Sequence, residues 1–262
     1  VSCSAILCSS SPAGELGDGS IALPKTEPKP QTEPKPLVAA SWSVSARRVD
    51  DVPEPGFLGW ELSEGGQPLE VTLAGMTFGK ELKASGVDLL LGPSLALGSD
   101  PSTCFGPRPG GVGRAAGLFV AGLATAGVIA CPGTFDGAWT GADGPVDDAL
   151  PFGALASKGA VAFEARAAGW SVGRLRELTG FEGVVVTPPW SESSRNESSR
   201  SDDDLGLWVV QCLERGFDWI RVPASALDDR ALEEMEGAIE ERGLGERLQR
   251  ASDRVAALRD KI

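Results

Sequence analysis

Short apolar runs and longer amphipathic stretches alternate along this sequence from about residue 37 onward. A short apolar run bounded by polar or glycine-rich positions is typical of a buried parallel strand. The runs are Leu37–Trp42, Phe57–Leu62, Val87–Leu91, Gly127–Cys131, Ala160–Phe163, Gly183–Thr187 and Trp219–Val222. The pattern therefore predicts a series of short buried strands.

Between most of these runs, apolar residues recur at the spacing of a helix. Leu205, Val209 and Cys212 lie on one predicted helical face, and Leu248 and Val255 belong to a second stripe near the end of the chain. Alternating strands and helices favour a parallel sheet covered by helices. We predict an α/β fold, and the number of repeats favours a TIM-type (β/α) barrel over an open sheet.

Residues 1–36 differ from the rest, because they are rich in serine and proline and repeat the sequence TEPKP. Such a composition predicts a disordered tether, which leaves residues 37–262 as the barrel. Cys3, followed by this polar stretch, resembles a lipoprotein start and suggests a lipid anchor. An anchored Cys3 implies the cell envelope or periplasm, and an ordinary Cys3 implies the cytoplasm.

Composition excludes several kinds of function. The net charge of −13 disfavours nucleic acid as a partner, since phosphates are repelled, and no apolar stretch is long enough for a transmembrane segment. The absence of histidine excludes Ser-His-Asp and Cys-His catalysis. Without histidine or a CxxC pair no metal site is predicted, and without a phosphate-binding loop no cofactor. Cys104, Cys131 and Cys212 are expected to be buried as small apolar side chains.

Six segments follow one another in the order found in a known family. They are Glu64–Gly66, Gly86–Leu95, Gly106–Gly111, Gly122–Gly133, Leu178–Thr187 and Ala257–Ile262. Together they resemble family 3 glycoside hydrolases, closest to the bacterial β-N-acetylglucosaminidases, from about Leu58 to the end of the chain. The resemblance implies a TIM-type barrel. Its opening β/α units look shortened, so the barrel is expected to be incomplete or irregular at its N-terminal units.

The resemblance also indicates which catalytic residues are missing. The family cleaves glycosides with an aspartate nucleophile that follows a strand and with a histidine acid/base on a loop. The nucleophile position holds Pro188 here, and the two loop positions hold Thr140 and Ala142. Proline has no nucleophilic atom and the chain has no histidine. We therefore predict that no catalytic residue is present.

Most of the family's sugar-binding positions are apolar in this chain: they fall on Leu62, Ala96, Ile129 and Ala130. Four other residues remain candidates for substrate binding: Arg108, Asp136, Glu64 and Trp190. The fork of an arginine suits a carboxylate or a sugar hydroxyl, whereas a structural ion pair is the alternative for Arg108. Asp136 alternatively shapes its glycine-rich loop. Trp190 either stacks on a sugar or fills the vacated pocket.

Three hypotheses about function follow from the resemblance. The first is a non-catalytic glycoside hydrolase-like protein, a pseudoenzyme, that binds a sugar or cell-wall fragment or serves as a scaffold. The second is an active glycoside hydrolase of the β-N-acetylhexosaminidase type that uses relocated carboxylates. The candidates for those carboxylates are Glu164, Asp143, Asp147 and Asp148. The third is a decayed copy that folds poorly and has no function.

Overall fold

The computed structural model describes residues 7–10, 39–41, 53–98, 104–133, 149–165, 172–188, 204–223 and 226–261. Its strands are β1 (Leu7–Ser10), β2 (Ala39–Ser41), β3 (Leu89–Ser94), β4 (Ile129–Gly133), β5 (Ala162–Glu164), β6 (Val184–Val186) and β7 (Ile220–Pro223). Its helices are α1 (Pro55–Ser63), α2 (Pro68–Ala84), α3 (Pro109–Thr125), α4 (Leu150–Ala156), α5 (Val172–Thr179), α6 (Asp204–Glu214), α7 (Asp229–Glu241) and α8 (Gly245–Arg259). Strands and helices alternate from β3 to α8, which confirms the predicted α/β class.

The chain divides into two compact units. The central unit consists of residues 39–183 with Ile262, and the terminal unit combines residues 1–38 with residues 184–261. None of the described helices is both long and apolar enough to cross a membrane.

A parallel sheet in the order β2-β3-β4 forms the middle of the central unit. Leu89 of β3 lies opposite Ala39 on one side and Ile129 on the other, and it is fully buried. A cis peptide joins Gly92 to Pro93, and the register with β4 shifts between Leu91 and Gly92. The apolar run at residues 87–91 therefore forms a buried strand, as predicted.

Helices α2 and α3 approach each other closely through glycines. A Cβ atom at Gly75 would meet the carbonyl oxygen of Phe119, and one at Gly122 would meet the carbonyl oxygen of Thr72. The rings of Phe78 and Phe119 pack beside this crossing, with centroids 6.1 Å apart. The two backbones can come this near only because no side chain separates them.

We expect Gly122→Ala to lower the free energy of unfolding by about 2 kcal/mol, because the added methyl group forces two backbones apart. Gly110→Ala in the same helix is the control, since nothing lies within 4 Å of its Cβ position. That control should match the wild type or exceed it by up to about 1 kcal/mol, the helix propensity of alanine over glycine. Urea unfolding measures both, and equal stability of the two variants would contradict the close crossing.

The apolar run Phe57–Leu62 forms helix α1, so the predicted strand is wrong there. Pro55 occupies the first turn, where its missing N–H is not needed. Leu58 and Leu62, four residues apart, are buried on one helical face. Gly59 fits against the carbonyl oxygen of Phe105, which only a residue without a side chain allows. Local helix signals therefore outweigh apolar content in this segment.

The terminal unit contains a parallel arrangement of β6, β7 and β1. Leu7 of β1 lies opposite Ile220 of β7, and a bridge joins Val186 to Trp219. Leu7–Ser10, which belong to the predicted tether, form β1 against β7. The rest of residues 1–36, including Cys3 as the predicted anchor, lies outside the described residues, so the boundary at residue 37 stays a prediction.

The two predicted helical stripes are confirmed. Val209 and Leu213 of α6 are buried, as are Leu248 and Val255 of α8. The three predicted buried cysteines, Cys104, Cys131 and Cys212, are buried and form no disulfide. Burial raises the pKa of Cys212 from its ordinary value of 9.0 to about 12, with a smaller opposing effect from Arg215.

The raised pKa of Cys212 predicts a loss of stability in alkali. Between pH 9.0 and about 12 the unfolded chain releases the thiol proton and the folded protein keeps it. The free energy of unfolding should therefore fall as pH rises through this window. Cys212→Ala should show a shallower fall in urea titrations at successive pH values. Parallel curves for the two proteins would show that this thiol ionises equally well when folded.

Candidate functional site

The carboxyl ends of parallel strands are the usual place for ligands in α/β folds. In the central unit, β3 ends at Ser94, β4 at Gly133 and β5 at Glu164. The N–H of Leu95 donates to the carbonyl oxygen of Gly133 at 2.6 Å, and the N–H of Ala96 donates to Ser94 Oγ at 3.2 Å. The first bond holds the segment that follows β3 against the end of β4, and the second closes a local turn within that segment.

Glu164 stands beside the end of β4. A Cβ atom added at Gly133 would meet the Cβ atom of Glu164, so the glycine makes room for this side chain. Glu164 is half-buried, and among these three strand ends it is the one that carries a carboxylate. Asp143, Asp147 and Asp148 lie outside the described residues. Of the relocated carboxylates suggested by the sequence, Glu164 is thus placed at a strand end.

Arg108 directly precedes α3 and is exposed. It forms no ion pair with any residue that the structure describes, which leaves its guanidinium accessible. Glu64 is also exposed, but it follows α1 in a turn between two helices, with its N–H bonded to the carbonyl oxygen of Trp60 at 3.0 Å. The resemblance placed Glu64 after a strand, and the structure places it after a helix.

The remaining predicted positions divide into two groups. Thr140, Ala142, Asp136 and Trp190 lie outside the described residues, so their roles stay predictions. Leu62 is buried in α1, and Ala96 is half-buried beyond β3. Ile129 and Ala130 are the first residues of β4, away from its carboxyl end. None of these four apolar residues offers a hydrogen bond to a hydroxyl group from its side chain.

Pro188 follows the end of β6 in the terminal unit. The N–H of Thr187 donates to the carbonyl oxygen of Trp219 at 2.9 Å. The Thr187 hydroxyl oxygen accepts the N–H of Arg221, also at 2.9 Å. Pro188 is half-buried and has no N–H with which to continue this pairing. Pro188, which the sequence resemblance predicts to occupy the nucleophile position, is therefore next to a strand end that is held by two hydrogen bonds.

A buried carboxylate that sequence reasoning missed holds this strand in place. Asp218 is fully buried, and its Oδ2 accepts the N–H of Val185 in β6 at 3.0 Å. Its Oδ1 accepts from Arg247 Nη2 and from Arg254 Nη1, each at 3.0 Å. Arg247 Nη2 also donates to the carbonyl oxygen of Phe217 at 2.6 Å. Helix α8 is thus fastened to β6 and to the start of β7.

Burial lowers the pKa of Arg247, and the charge of Asp218 partly offsets this shift. The sequence does contain a signal for the cluster. Arg247 and Arg254 are seven residues apart, so they lie on one face of α8, beside the buried stripe of that helix. Two arginines at the edge of an apolar stripe indicate a buried acidic partner.

Arg176 binds the backbone of the segment that directly precedes β6. Its Nη1 donates to the carbonyl oxygen of Phe181 and its Nη2 to that of Gly183, both at 2.9 Å. The guanidinium also lies over the ring of Phe181, 5.7 Å from the centroid. Among the residues that the structure describes, His, Cys, Asp and Glu side chains form no cluster of three that could hold a metal ion.

We expect Asp218→Asn to lower the free energy of unfolding by about 3 kcal/mol, because it removes the buried negative charge that two partly buried arginines share. Asp253→Asn on the exposed face of α8 is the matched control. Its side chain bonds only to Gln249 in the same helix, and its loss should change stability by less than about 0.5 kcal/mol. Chemical unfolding compares the two, and a near-neutral Asp218→Asn would refute the fastening role.

Several solved structures of glycoside hydrolases have a similar fold. A β-N-acetylhexosaminidase from Beutenbergia cavernae matches with a TM-score of 0.64 and 22% identity, covering 80% of this chain and 72% of that one. A glycosyl hydrolase family 3 member from Mycobacterium smegmatis matches with a TM-score of 0.67 and 20% identity, covering 86% and 82%. A family 3 β-N-acetylglucosaminidase from Paenibacillus matches with a TM-score of 0.66 and 23% identity, covering 81% and 46%.

No protein-family model and no curated protein sequence matches the chain. At these identities the structural matches establish the fold alone. They nevertheless agree with the resemblance seen in the ordered sequence segments. The chain is similar in fold to the β-N-acetylhexosaminidases of glycoside hydrolase family 3.

Proposed function

We propose that this protein is a barrel of glycoside hydrolase family 3 that binds a sugar or cell-wall fragment without hydrolysing it. The observation that carries the proposal is Pro188, which directly follows Thr187 at the end of β6. Retaining hydrolysis through a glycosyl ester, which the resemblance implies, needs a carboxylate at this position. A pyrrolidine ring cannot attack the anomeric carbon.

The absence of histidine from the sequence also supports the proposal, whichever residue stands at the acid/base position. Protonation of the leaving group requires an acid held near the glycosidic oxygen, and the family's histidine has no counterpart in a chain without histidine. Loss of a nucleophile or an acid/base removes about 10³ to 10⁶ in rate. We therefore expect any hydrolysis by this chain to be slower than that of an active enzyme by at least this factor.

Binding is the function that the remaining polar groups support. In the central unit, Ser94 and Glu164 offer hydroxyl and carboxylate groups at strand ends, and Arg108 is exposed before α3. Groups of this kind hydrogen-bond to sugar hydroxyls, and the guanidinium also suits a carboxylate. Asp136 and Trp190 are proposed as further contacts.

Two assays on the full chain test this proposal. We expect no nitrophenol release from nitrophenyl β-N-acetylglucosaminide, and we expect heat of binding when N-acetylglucosamine oligosaccharides are titrated in a calorimeter. Arg108→Ala should weaken binding about tenfold. Arg114→Ala is the control, since Arg114 is an exposed arginine within α3, the helix that Arg108 precedes. Turnover at an enzyme-like rate would refute the pseudoenzyme, and an absence of binding would refute the carbohydrate role.

An active hydrolase with relocated carboxylates is the second candidate, and the position of Glu164 favours it. A half-buried carboxylate at a strand end is where such an enzyme needs an acid or a nucleophile. This alternative predicts measurable nitrophenol release that Glu164→Gln abolishes. Glu177→Gln on the exposed side of α5 should keep that activity. Release that survives Glu164→Gln would exclude this carboxylate as its source.

A further inference from the structure

A buried arginine lies beside Pro188 where the paired strands of the terminal unit end. The bridge between Val186 and Trp219 sets the register of β6 and β7, so that two residues further along both strands Pro188 stands next to Arg221. Arg221 is 8% exposed. Its N–H donates to Thr187 Oγ1 at 2.9 Å, which holds its backbone against the end of β6. A charged side chain therefore starts from a fixed point next to Pro188.

The alternation of side chains along β7 places Arg221 on the face opposite helix α8. Asp218 lies on the side of α8, because its Oδ1 binds Arg247 and Arg254 of that helix. Successive side chains of a strand point to opposite faces, so Trp219 and Arg221 share the other face. Arg221 thus lies outside the ion-pair cluster of α8. It stands two residues before the carboxyl end of β7, the end at which α/β folds bind ligands.

The polar groups on this face of β7 are hydrogen-bond donors. Trp219 is 1% exposed, and its indole N–H has no acceptor among the residues that the structure describes. A guanidinium has five N–H donors and no acceptor, so pairing with one protein carboxylate still leaves donors for a ligand. Donor groups on one face favour a ligand that carries an acceptor. The planar fork of an arginine matches a carboxylate with two parallel hydrogen bonds.

We propose that Arg221 binds the carboxylate of an acidic saccharide, one that contains hexuronic acid. This inference rests on the proposed sugar-binding function and names the class of sugar. The net charge of −13 does not oppose it, because salt screens distant surface charges over about 10 Å, whereas Arg221 contacts the carboxylate directly. A charge-assisted hydrogen bond is stronger than a neutral one, so an acidic saccharide binds more tightly than a neutral one of equal length.

Three oligosaccharides of equal length separate the carboxylate from the rest of the sugar. The first alternates glucuronic acid with N-acetylglucosamine, the second is its methyl ester, and the third contains N-acetylglucosamine alone. Calorimetry with the full chain should show that the acidic oligosaccharide binds about tenfold more tightly than the other two. The ester keeps the sugar rings and removes the negative charge. This comparison uses the unaltered protein, so it does not depend on the folding of a variant.

Arg221→Met tests the residue itself, because methionine has a long side chain without a charge. The variant should bind the acidic oligosaccharide about tenfold more weakly and the neutral one as the wild type does. Arg221→Lys keeps the charge and loses the fork, so its affinity for the acidic oligosaccharide should be intermediate. Arg230→Met is the matched control in the same unit. Arg230 is exposed on α7, where it pairs with Glu234, and its replacement should change neither affinity.

The outcomes distinguish this inference from the proposed function. Circular dichroism shows which variants are folded, and only those are compared. Equal binding of the acidic oligosaccharide and its methyl ester would overturn the role of the carboxylate and leave sugar binding intact. A preference for the acidic oligosaccharide that persists in Arg221→Met would overturn the role of Arg221, because another cation would then hold the carboxylate. If none of the three oligosaccharides binds, the inference and the proposed sugar binding both fail.

Discussion

One fully buried carboxylate holds strand β6, which ends next to Pro188, in place. Asp218 accepts the N–H of Val185 in β6 and pairs with Arg247 and Arg254 of α8. Burying an unpaired charge in a core is strongly unfavourable, so these groups must be present together. Their geometry holds the last helix, the start of β7 and the strand β6 as one cluster. Because β6 is held by this cluster, the position of the residues that directly follow β6 is fixed as well.

Hydrogen bonds of the terminal unit fix the end of β6, the strand that Pro188 follows. The Thr187 hydroxyl accepts the N–H of Arg221 in β7, and the Thr187 N–H donates to the carbonyl oxygen of Trp219, the residue before β7. In the function that we propose, Pro188 stands where the resembling family has its nucleophile. These hydrogen bonds do not involve the side chain at position 188, so the loss of catalysis that we propose leaves them intact.

Regular parts of the fold could be predicted from the sequence, because burial repeats at the period of each element. Helix α8 was correctly predicted from the apolar stripe that includes Leu248 and Val255. Strand β6 was correctly predicted from the apolar run before Thr187. The run at residues 57–62 was wrongly predicted as a strand, because apolar content alone does not distinguish a buried strand from a helix. Pro55 at the start of the segment and the four-residue spacing of Leu58 and Leu62 indicate a helix instead. The pairing of β1 with β7 and the contact of Gly122 with Thr72 join residues far apart in sequence, which no local pattern reveals.

The candidate site was predictable to the extent that it rests on residue identity. A proline at position 188 and a chain without histidine are facts of the sequence. The location of Glu164 beside Gly133, and the placement of Glu64 after a helix, could be seen only in the folded structure.

The proposed absence of a catalytic nucleophile can be tested by intact mass spectrometry after incubation with a fluorinated N-acetylglucosamine inactivator. Such an inactivator traps a glycosyl ester on a nucleophilic carboxylate. We predict an unchanged mass; a stoichiometric adduct on any aspartate or glutamate would contradict the loss of catalysis.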